Sequence, residues 1–405
     1  IVGVGRVKSI GPLTEYAYDG DPSGKIRSYL WERMVTHSIR ADFVDGFLMP
    51  YHEALERAEN GAAFDLSDVV AFAPDDHFDA FSYATEHVGT DGAISALMAC
   101  RAALLQAEKA WDYSTSKQQQ WIDRELGRLW KKRGAFPGLG AVLNATGIPL
   151  GNFVAQSLID RAGENGNPWD EWFQALNDPG SVLPKELARN IDRTIIASWQ
   201  RMNEERRSFL QTLSRLDLSD DHANVLATPE TRRDNGIELS DTAFLENPYL
   251  FYEATRLTLS PVSIGVVDRG VFPTEFIREK FPLAEPTLIR TSVDARRLRA
   301  LCIRELEHSA DQGDTLRSRE DIIISLRKGD EQRKEDPTLV TNDLLGVAED
   351  EQFEGQIRIV SLKNEAPAYQ LERLANVGEL IRKTVEKRSQ SARHKLDIDW
   401  QTELD

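Results

Sequence analysis

The chain has 405 residues, of which 41% are hydrophobic and 28% are charged. At the usual domain size this length predicts two to four globular units. Acidic residues outnumber basic ones 66 to 49 and give a net charge of -17. This charge argues against a surface that binds nucleic acid or anionic membranes throughout, although it leaves room for local basic patches. No stretch approaches the roughly 18 consecutive apolar residues of a membrane helix, so we expect no membrane span.

Cysteine and histidine usage bears on redox compartment and metal binding. Cys100 and Cys302 lie far apart without metal-ligand spacing, which disfavours a disulfide scaffold or zinc finger and predicts a reducing, cytoplasmic setting. Four of the seven histidines precede residue 90 and have acidic neighbours, but their spacings match no metal motif, so we expect no metal site. These residues are His37, His52, His77 and His87, with Glu53, Asp75 and Asp76.

Both ends of the chain look like interrupted elements. Residues 1–7 begin with Ile1 and alternate β-branched residues with glycine, as in a strand entered midway. Residues 395–405 form an amphipathic run without a helix-ending signal. We therefore expect this chain to be a piece of a longer protein.

The predicted elements of the first half are mostly helices. Turn signals predict that residues 1–24 form a small β element. A helix is predicted from Ile26, because Tyr29, Leu30, Arg33, Met34 and His37 recur at three- and four-residue spacing. Further helices are predicted over residues 50–59, 91–109, 116–133, 153–163, 168–177, 184–213 and 219–227.

Strand signals return only late in the chain. They occur at residues 263–267 and 356–362, whereas residues 369–386 predict a final helix and the polar residues 328–337 a solvated linker. The predicted fold class is mainly α with small β elements, built from several modules with helix-hairpin-helix-like segments in the middle. The modules are an N-terminal α+β module (1–110), a helical region with the hairpin (111–260), a small α/β or helical module (261–330), and a linker, strand and helix (331–405).

The sharpest local signal is a helix-hairpin-helix pattern in residues 121–147. A basic amphipathic helix is followed by Pro137-Gly138-Leu139-Gly140 and a second, apolar helix. Such glycines let the backbone turn sharply and approach a phosphate with N–H donors at the positive helix N-terminus. The predicted DNA-binding residues are Arg128, Lys131, Lys132, Arg133, Gly134, Gly138 and Gly140. A tight turn with a solvated basic face gives the same pattern, and both interpretations stay open here.

Two further basic runs are ambiguous. Residues 290–304 hold five arginines and one aspartate, but Arg296, Arg299 and Arg304 cannot share one narrow helical stripe. We therefore expect a solvated helix there rather than a groove that follows phosphates. The second run, residues 381–395, is interpreted either as a DNA contact or as an exposed connector.

Four short motifs follow one another along the chain. They are Pro137-Gly138-Leu139-Gly140, Leu245-Glu246-Asn247-Pro248-Tyr249-Leu250, Ile264-Gly265-Val266-Val267-Asp268-Arg269 and Gln312-Gly313-Asp314-Thr315-Leu316. In this order they resemble the region that precedes the motor of RecD-like superfamily-one DNA helicases. Residues 369–374 and 393–400 are similar to the approach to such an ATPase core, so the resemblance covers roughly residues 117–405. Asp314 departs from the family pattern, where a histidine is common, and the first hundred residues have no clear counterpart.

The resemblance implies the DNA-binding forepart of an ATP-dependent helicase of DNA repair or recombination. Such a forepart would contact the backbone of single-stranded or forked DNA while the motor translocates. No G-x-x-x-x-G-K-[ST] loop occurs in the 405 residues, so ATP and Mg²⁺ are expected only in a motor outside this chain, and the chain alone is not expected to be catalytic. Two alternatives are an acidic helical module that binds proteins and no nucleic acid, and a metal-dependent nuclease built on the histidine and acidic cluster.

Overall fold

The protein is seen in a computed structural model. It describes residues 1–10, 15–16, 26–27, 35–37, 39, 44–73, 90–111, 113–163, 166–258, 261–328, 339–363 and 365–391. Helices dominate these residues and the strands are short. This confirms the predicted fold class, mainly α with small β elements.

The N-terminal strands form antiparallel pairs. The pairs are β1 (Gly3–Gly5) with β6 (Gly46–Leu48), β2 (Val7–Ile10) with β5 (Val35–His37), and β3 (Glu15–Tyr16) with β4 (Ile26–Arg27). The predicted opening strand is therefore confirmed. The predicted helix from Ile26 is wrong at both of its described ends, because β4 and β5 pair with earlier strands and pairing overrides the local helical spacing. Its other members, Tyr29, Leu30, Arg33 and Met34, lie outside the described residues.

Four helices follow, and the last two of them build the first apolar core. They are α1 (Tyr51–Glu59), α2 (Leu66–Val69), α3 (Thr90–Trp111) and α4 (Ser116–Arg133). The buried side chains of α3 pack against Phe47 of β6 and against Trp121 and Ile122 of α4. Phe47 and Trp121 meet edge to face with their ring centroids 5.5 Å apart. The basic helix α4 is thus fixed by its apolar side to the N-terminal part of the protein.

Short helices make up the middle of the chain. They are α5 (Leu139–Ala145), α6 (Gly151–Ala162), α7 (Pro168–Ala175), α8 (Pro179–Val182), α9 (Lys185–Ala188), α10 (Arg193–Arg201), α11 (Glu204–Leu213), α12 (Asp220–Leu226), α13 (Pro229–Asp234), α14 (Asp241–Glu246) and α15 (Leu250–Thr255). The single helix predicted over residues 184–213 is three helices. Asp192 and Asn203 each accept backbone N–H bonds at the start of a new helix, so each interrupts the run.

The last part of the chain combines helices with a three-stranded sheet. Its elements are α16 (Ile264–Val271), α17 (Glu275–Lys280), α18 (Ala295–Asp311), β7 (Arg317–Ser318), α19 (Arg319–Lys328), α20 (Asn342–Gln352), β8 (Ile357–Ser361), β9 (Pro367–Leu371) and α21 (Glu372–Ser389). The antiparallel strand order is β7-β9-β8. β8 confirms the strand predicted at residues 356–362. The strand predicted at residues 263–267 is wrong, and the final helix begins at Glu372 because residues 369–371 belong to β9.

A second, larger apolar core extends from Ala135 to Leu371. It includes the stacked rings of Phe244 and Phe251, whose centroids lie 4.6 Å apart. Along the chain, the first core ends within α4 and this one begins at the hairpin. The boundaries of the four predicted modules stay a prediction. Within the described ranges, no helix is both long and apolar enough to cross a membrane.

Candidate nucleic-acid interface

One side of α4 carries a stripe of exposed cations. Arg124, Arg128 and Lys131 recur at spacings of four and three residues, which places them on one side of a helix. Lys132 is also exposed and lies beside Lys131 in the last turn. We call these four residues the α4 basic stripe. The helix buries an adjacent side through Trp121 and Ile122, so the stripe faces solvent on a fixed scaffold.

The length of the α4 basic stripe suits a nucleic-acid backbone. Arg124 and Lys131 are seven residues apart, which corresponds to about 10 Å along a helix axis. One DNA strand advances about 3.4 Å per phosphate, so the stripe covers the rise of about three phosphates. The DNA-binding residues predicted from the sequence include Arg128, Lys131 and Lys132 but not Arg124, although the same helical spacing places it with them.

A carboxylate network fixes the middle of α4. The buried Glu125 accepts hydrogen bonds from Arg6, which also donates to Asp45 at 3.0 Å. Arg128 approaches Glu125 at 3.2 Å, yet 62% of its side chain stays exposed. Arg128 is therefore shared between an internal contact and the solvent-exposed stripe, whereas Arg124, Lys131 and Lys132 serve the stripe alone.

Arg133, a predicted DNA contact, is buried and engaged within the protein. Its Nε donates to Asp91 Oδ1 at 2.6 Å and its Nη2 donates to the carbonyl of Arg215 at 2.9 Å. Its side chain is 1% exposed. The prediction for Arg133 is corrected on this ground, because a guanidinium that has given up water for internal partners cannot also reach a phosphate.

Asp91 is the centre of this buried cluster. It is fully buried at the start of α3 and accepts from Arg133 of α4 and from Arg269 of α16, the latter at 2.8 Å. Arg269 also donates to Ser95 Oγ at 2.6 Å. Burial raises the pKa of Asp91, but the two guanidiniums outweigh it and hold the pKa below its ordinary value. The carboxylate is thus charged at neutral pH and joins three helices.

The hairpin glycines are used for packing. The Gly138 N–H donates to the Ser214 carbonyl at 2.9 Å, so it is not free for a phosphate. A Cβ at Gly138 would lie 2.2 Å from the Leu216 carbonyl oxygen, and one at Gly140 would lie 2.8 Å from Asn152 Cα. Both glycines are buried. The predicted phosphate contacts at Gly138 and Gly140 are therefore corrected, because the close approach is to the protein's own backbone.

Gly134 ends α4 and has a different role. Its backbone has φ 65 and ψ -167, a region that essentially only glycine occupies. Its N–H donates to the Trp130 carbonyl at 3.2 Å, within the helix end. Gly134 thus turns the chain from α4 towards the hairpin, and nothing in its geometry points to a phosphate.

The arginines of residues 290–304 are mostly tied to groups within the protein. Arg296 donates to Asp294 and to the carbonyls of residues 246, 286 and 288, and Arg299 donates to the buried Glu253. The helix α18 buries Leu298, Leu301 and other apolar residues in the second core. The predicted solvated helix is therefore wrong. These arginines brace the fold and do not form a phosphate-binding groove.

Two motifs of the helicase resemblance meet in space. Tyr249, from the Asn-Pro-Tyr segment, is buried and donates from its hydroxyl to Asp268 Oδ1 at 2.7 Å. Arg297 donates to the same carboxylate at 2.8 Å. Burial and the neighbouring Asp268 carboxylate raise the pKa of Tyr249 well above its ordinary value, so the phenol stays protonated as a donor. The Asp314 turn that follows α18 contains Gly313 at φ 98 and closes the helix.

An acidic cleft of about 810 Å³ lies beside the hairpin. Its lining includes Asp170, Glu204, Glu205 and Glu285, while its Arg215 guanidinium donates to the Phe281 carbonyl at 2.6 Å. Carboxylates repel phosphate, so this cleft does not suit a nucleotide or a nucleic-acid backbone.

The described part of the chain contains no group of three His, Cys, Asp or Glu side chains arranged to hold a metal ion. Of the histidine and acidic cluster noted in the sequence, His77, His87, Asp75 and Asp76 lie outside the described residues. Comparison of the chain with protein-family models, curated proteins and solved structures finds no match.

Proposed function

We propose that this chain is the DNA-binding forepart of a RecD-like, ATP-dependent DNA helicase and that it contacts single-stranded or forked DNA through the α4 basic stripe. The observation that carries the proposal is the α4 basic stripe itself, which stands on a rigid helix of a protein with net charge -17. The order of the four sequence motifs supports the helicase assignment. ATP and Mg²⁺ belong to the motor in this proposal, and the chain itself supplies DNA contacts.

The chemistry of the α4 basic stripe favours phosphate over bases. Lys and Arg side chains attract the DNA backbone and release its counterions, an interaction that carries little sequence information. The net charge of -17 disfavours DNA binding by the surface as a whole, so binding depends on local groups of cations such as this one. Binding is therefore expected to be weakly sequence-specific and strongly dependent on salt.

A triple variant tests the location of the interface. Arg124→Gln, Lys131→Gln and Lys132→Gln remove three exposed cations while keeping good helix formers. Arg128 is left in place, because changing it would disturb the buried Glu125. We expect weaker DNA binding, with a slope of log affinity against log salt that is less steep by about 3 for duplex DNA. Fluorescence anisotropy with labelled DNA across a salt series measures both quantities.

A matched control keeps the overall charge change the same. Lys185→Gln, Arg189→Gln and Arg193→Gln alter three exposed cations in and near α9 and α10, away from α4. This control should bind DNA nearly as the unaltered chain does. Equal losses in the two triple variants would show that only net charge matters and would remove the α4 basic stripe as the interface.

The second candidate function is an acidic helical protein-interaction module without a nucleic-acid role. The packing of Gly138 and Gly140 favours it, since the hairpin is fully explained as a turn between helices. This function predicts no retention on DNA at low salt and a protein complex that survives high salt. Retention that disappears as salt rises would exclude it in favour of DNA binding.

The proposed setting is the cytoplasm. Cys100 and Cys302 are both free and buried, as expected of thiols in a reducing compartment. Burial raises the pKa of Cys100 to about 12, which keeps its thiol protonated and unreactive.

A further inference from the structure

The last two turns of the final helix α21 carry a group of exposed cations. No residue from 376 to 391 is buried, so the side chains of this part of the helix are open to solvent. Five of its residues line a hollow of about 450 Å³ and form two adjacent rows at four-residue spacing. The α21 basic face, as we call these residues, consists of Lys383, Lys387 and Ser391 in one row and Thr384 and Arg388 in the other.

The three cations of the α21 basic face are available to an external anion. Within the described residues, Lys387 and Arg388 have no ion-pair partner. Lys383 approaches Glu379 only at 3.9 Å, and such a long, exposed pair is weak. Glu379 is in addition already bound by Arg358 of β8. No carboxylate stands among the described residues that line the hollow, so an anion that enters it does not have to displace one.

Stabilisation of the helix end explains these cations only in part. Lys and Arg near a helix C-terminus can donate to its last carbonyls. In α21 the carbonyl of Arg388 instead accepts from the Ser391 hydroxyl at 2.7 Å, and that of Glu386 accepts from the Ser389 hydroxyl at 2.8 Å. The helix dipole favours cations in the last turn, but Lys383 lies before that turn. The hydroxyls are thus used within the helix, while the cations remain for an outside partner.

The spacing of the α21 basic face matches a nucleic-acid backbone. Lys383 and Ser391 are eight residues apart, which is about 12 Å along a helix axis, and one DNA strand advances about 3.4 Å per phosphate. The face therefore covers the rise of about three phosphates. Its cations follow one open side of a helix, whereas a site for a small ligand buries most of that ligand in a cleft. We propose that the α21 basic face is a second surface for the DNA backbone, in addition to the α4 basic stripe.

This second surface rests on the proposed function in one respect, namely that the chain binds DNA. It does not require α4 to be the interface. The α4 basic stripe alone accounts for a salt slope set by its own four cations. Duplex DNA long enough to reach both surfaces should therefore lose affinity with salt more steeply, by up to about 3 in the slope of log affinity against log salt.

Lysine acetylation of the full chain measures the two surfaces separately. Bound DNA covers the ammonium groups that it contacts, so acetylation of Lys383 and Lys387 should slow when duplex DNA is added. Lys131 and Lys132 report on α4 in the same sample, and the exposed Lys185 is the control whose rate should not change. Mass spectrometry of the digested protein gives the rate at each lysine.

A triple variant measures what the α21 basic face contributes to affinity. Lys383→Gln, Lys387→Gln and Arg388→Gln remove its cations and keep good helix formers, and none of the three side chains is buried. We expect the salt slope on long duplex DNA to become less steep by about 3. The matched control is the variant with Lys185→Gln, Arg189→Gln and Arg193→Gln, which should leave the slope nearly unchanged.

The outcomes separate the second surface from the proposed function. Protection of Lys131 and Lys132 without Lys383 and Lys387, or an unchanged slope in the α21 variant, would overturn the second surface alone. Protection of Lys383 and Lys387 without the α4 lysines would support the second surface and remove α4 as the interface. Equal protection by inorganic phosphate, at the same concentration of phosphate groups, would indicate a small-anion site and overturn the proposal. Absence of protection at all four lysines would contradict both surfaces.

Discussion

At the scale of single residues, Asp91 joins three helices through buried ion pairs. Its two partners, Arg133 and Arg269, come from α4 and α16, and each would be left buried without its counter-charge if the carboxylate were removed. The cluster links α3 and α4 of the first core to α16 of the second. It therefore fixes the base of the helix that carries the α4 basic stripe.

Replacing Asp91 should be costly. Asp91→Asn keeps the shape of the side chain but leaves two buried guanidiniums without a counter-charge. Breaking a buried ion pair in this way typically costs about 3–5 kcal/mol of unfolding free energy. Urea unfolding followed by circular dichroism measures the change. Asp123→Asn is the matched control, since its pair with Arg101 is exposed and 3.7 Å long, and such pairs contribute less than about 1 kcal/mol. Similar losses in both variants would contradict the role of Asp91.

The same cluster predicts a pH dependence. The folded pKa of Asp91 is lowered, so its contribution is complete above the unfolded pKa of about 3.9 and is lost as the pH falls through the folded value. The difference in unfolding free energy between the unaltered chain and Asp91→Asn should stay constant from about pH 7 to 5 and shrink below about pH 4. A difference that grew on acidification would have the wrong sign for this explanation.

The basic helix could be predicted from the sequence, but the burial of each of its cations could not. Lys131, Lys132 and Arg133 are consecutive and look equivalent, yet the helical turn sends only Arg133 inward. No neighbouring residue in the sequence indicates that Arg133 is buried, because its partner Asp91 is 42 residues earlier in the chain. Burial of a charge depends on which distant group meets it, and one sequence alone does not give that contact.

At the scale of elements, the packing of α5 against α6 depends on a glycine for its close approach. Gly140→Ala places a Cβ 2.1 Å from Asn152 Oδ1 and 2.8 Å from its Cα, so the helices must move apart. We expect a loss of about 1–3 kcal/mol in unfolding free energy. Gly127→Ala on the exposed side of α4 meets no heavy atom within 4 Å and should gain up to about 1 kcal/mol from helix propensity. Thermal or urea unfolding of the two variants measures these opposite effects, and a tolerated Gly140→Ala would show that the approach is not tight.

Element type was predictable where the apolar periodicity was clear, as in α3, α4 and β8. It failed at residues 263–267, where β-branched residues indicated a strand. There Ser263 accepts from the Val266 N–H and starts α16, whose Ile264, Val267 and Val271 then enter the core. It failed again from Ile26, where pairing with distant strands decides the conformation. Caps and long-range pairing therefore outweigh local propensity in these segments.

At the scale of the whole molecule, an acidic protein concentrates exposed cations on particular helices. Arg296 and Arg299 of α18 bind internal carboxylates and carbonyls, while the four cations of the α4 basic stripe remain at the surface. Fold class could be predicted from composition and spacing. Choosing between the basic runs required the burial and the hydrogen-bond partners of each cation. Only the three-dimensional structure gives these.

The most direct test of the central claim is equilibrium binding of this chain to single-stranded, duplex and forked DNA across a salt series. The α4 basic stripe offers four cations, so log affinity for duplex DNA should fall with log salt at a slope of about -3 to -4. Binding should vary little with base sequence. Absence of binding at low salt to all three DNA forms, or affinity that does not change with salt, would contradict a phosphate-binding surface on α4.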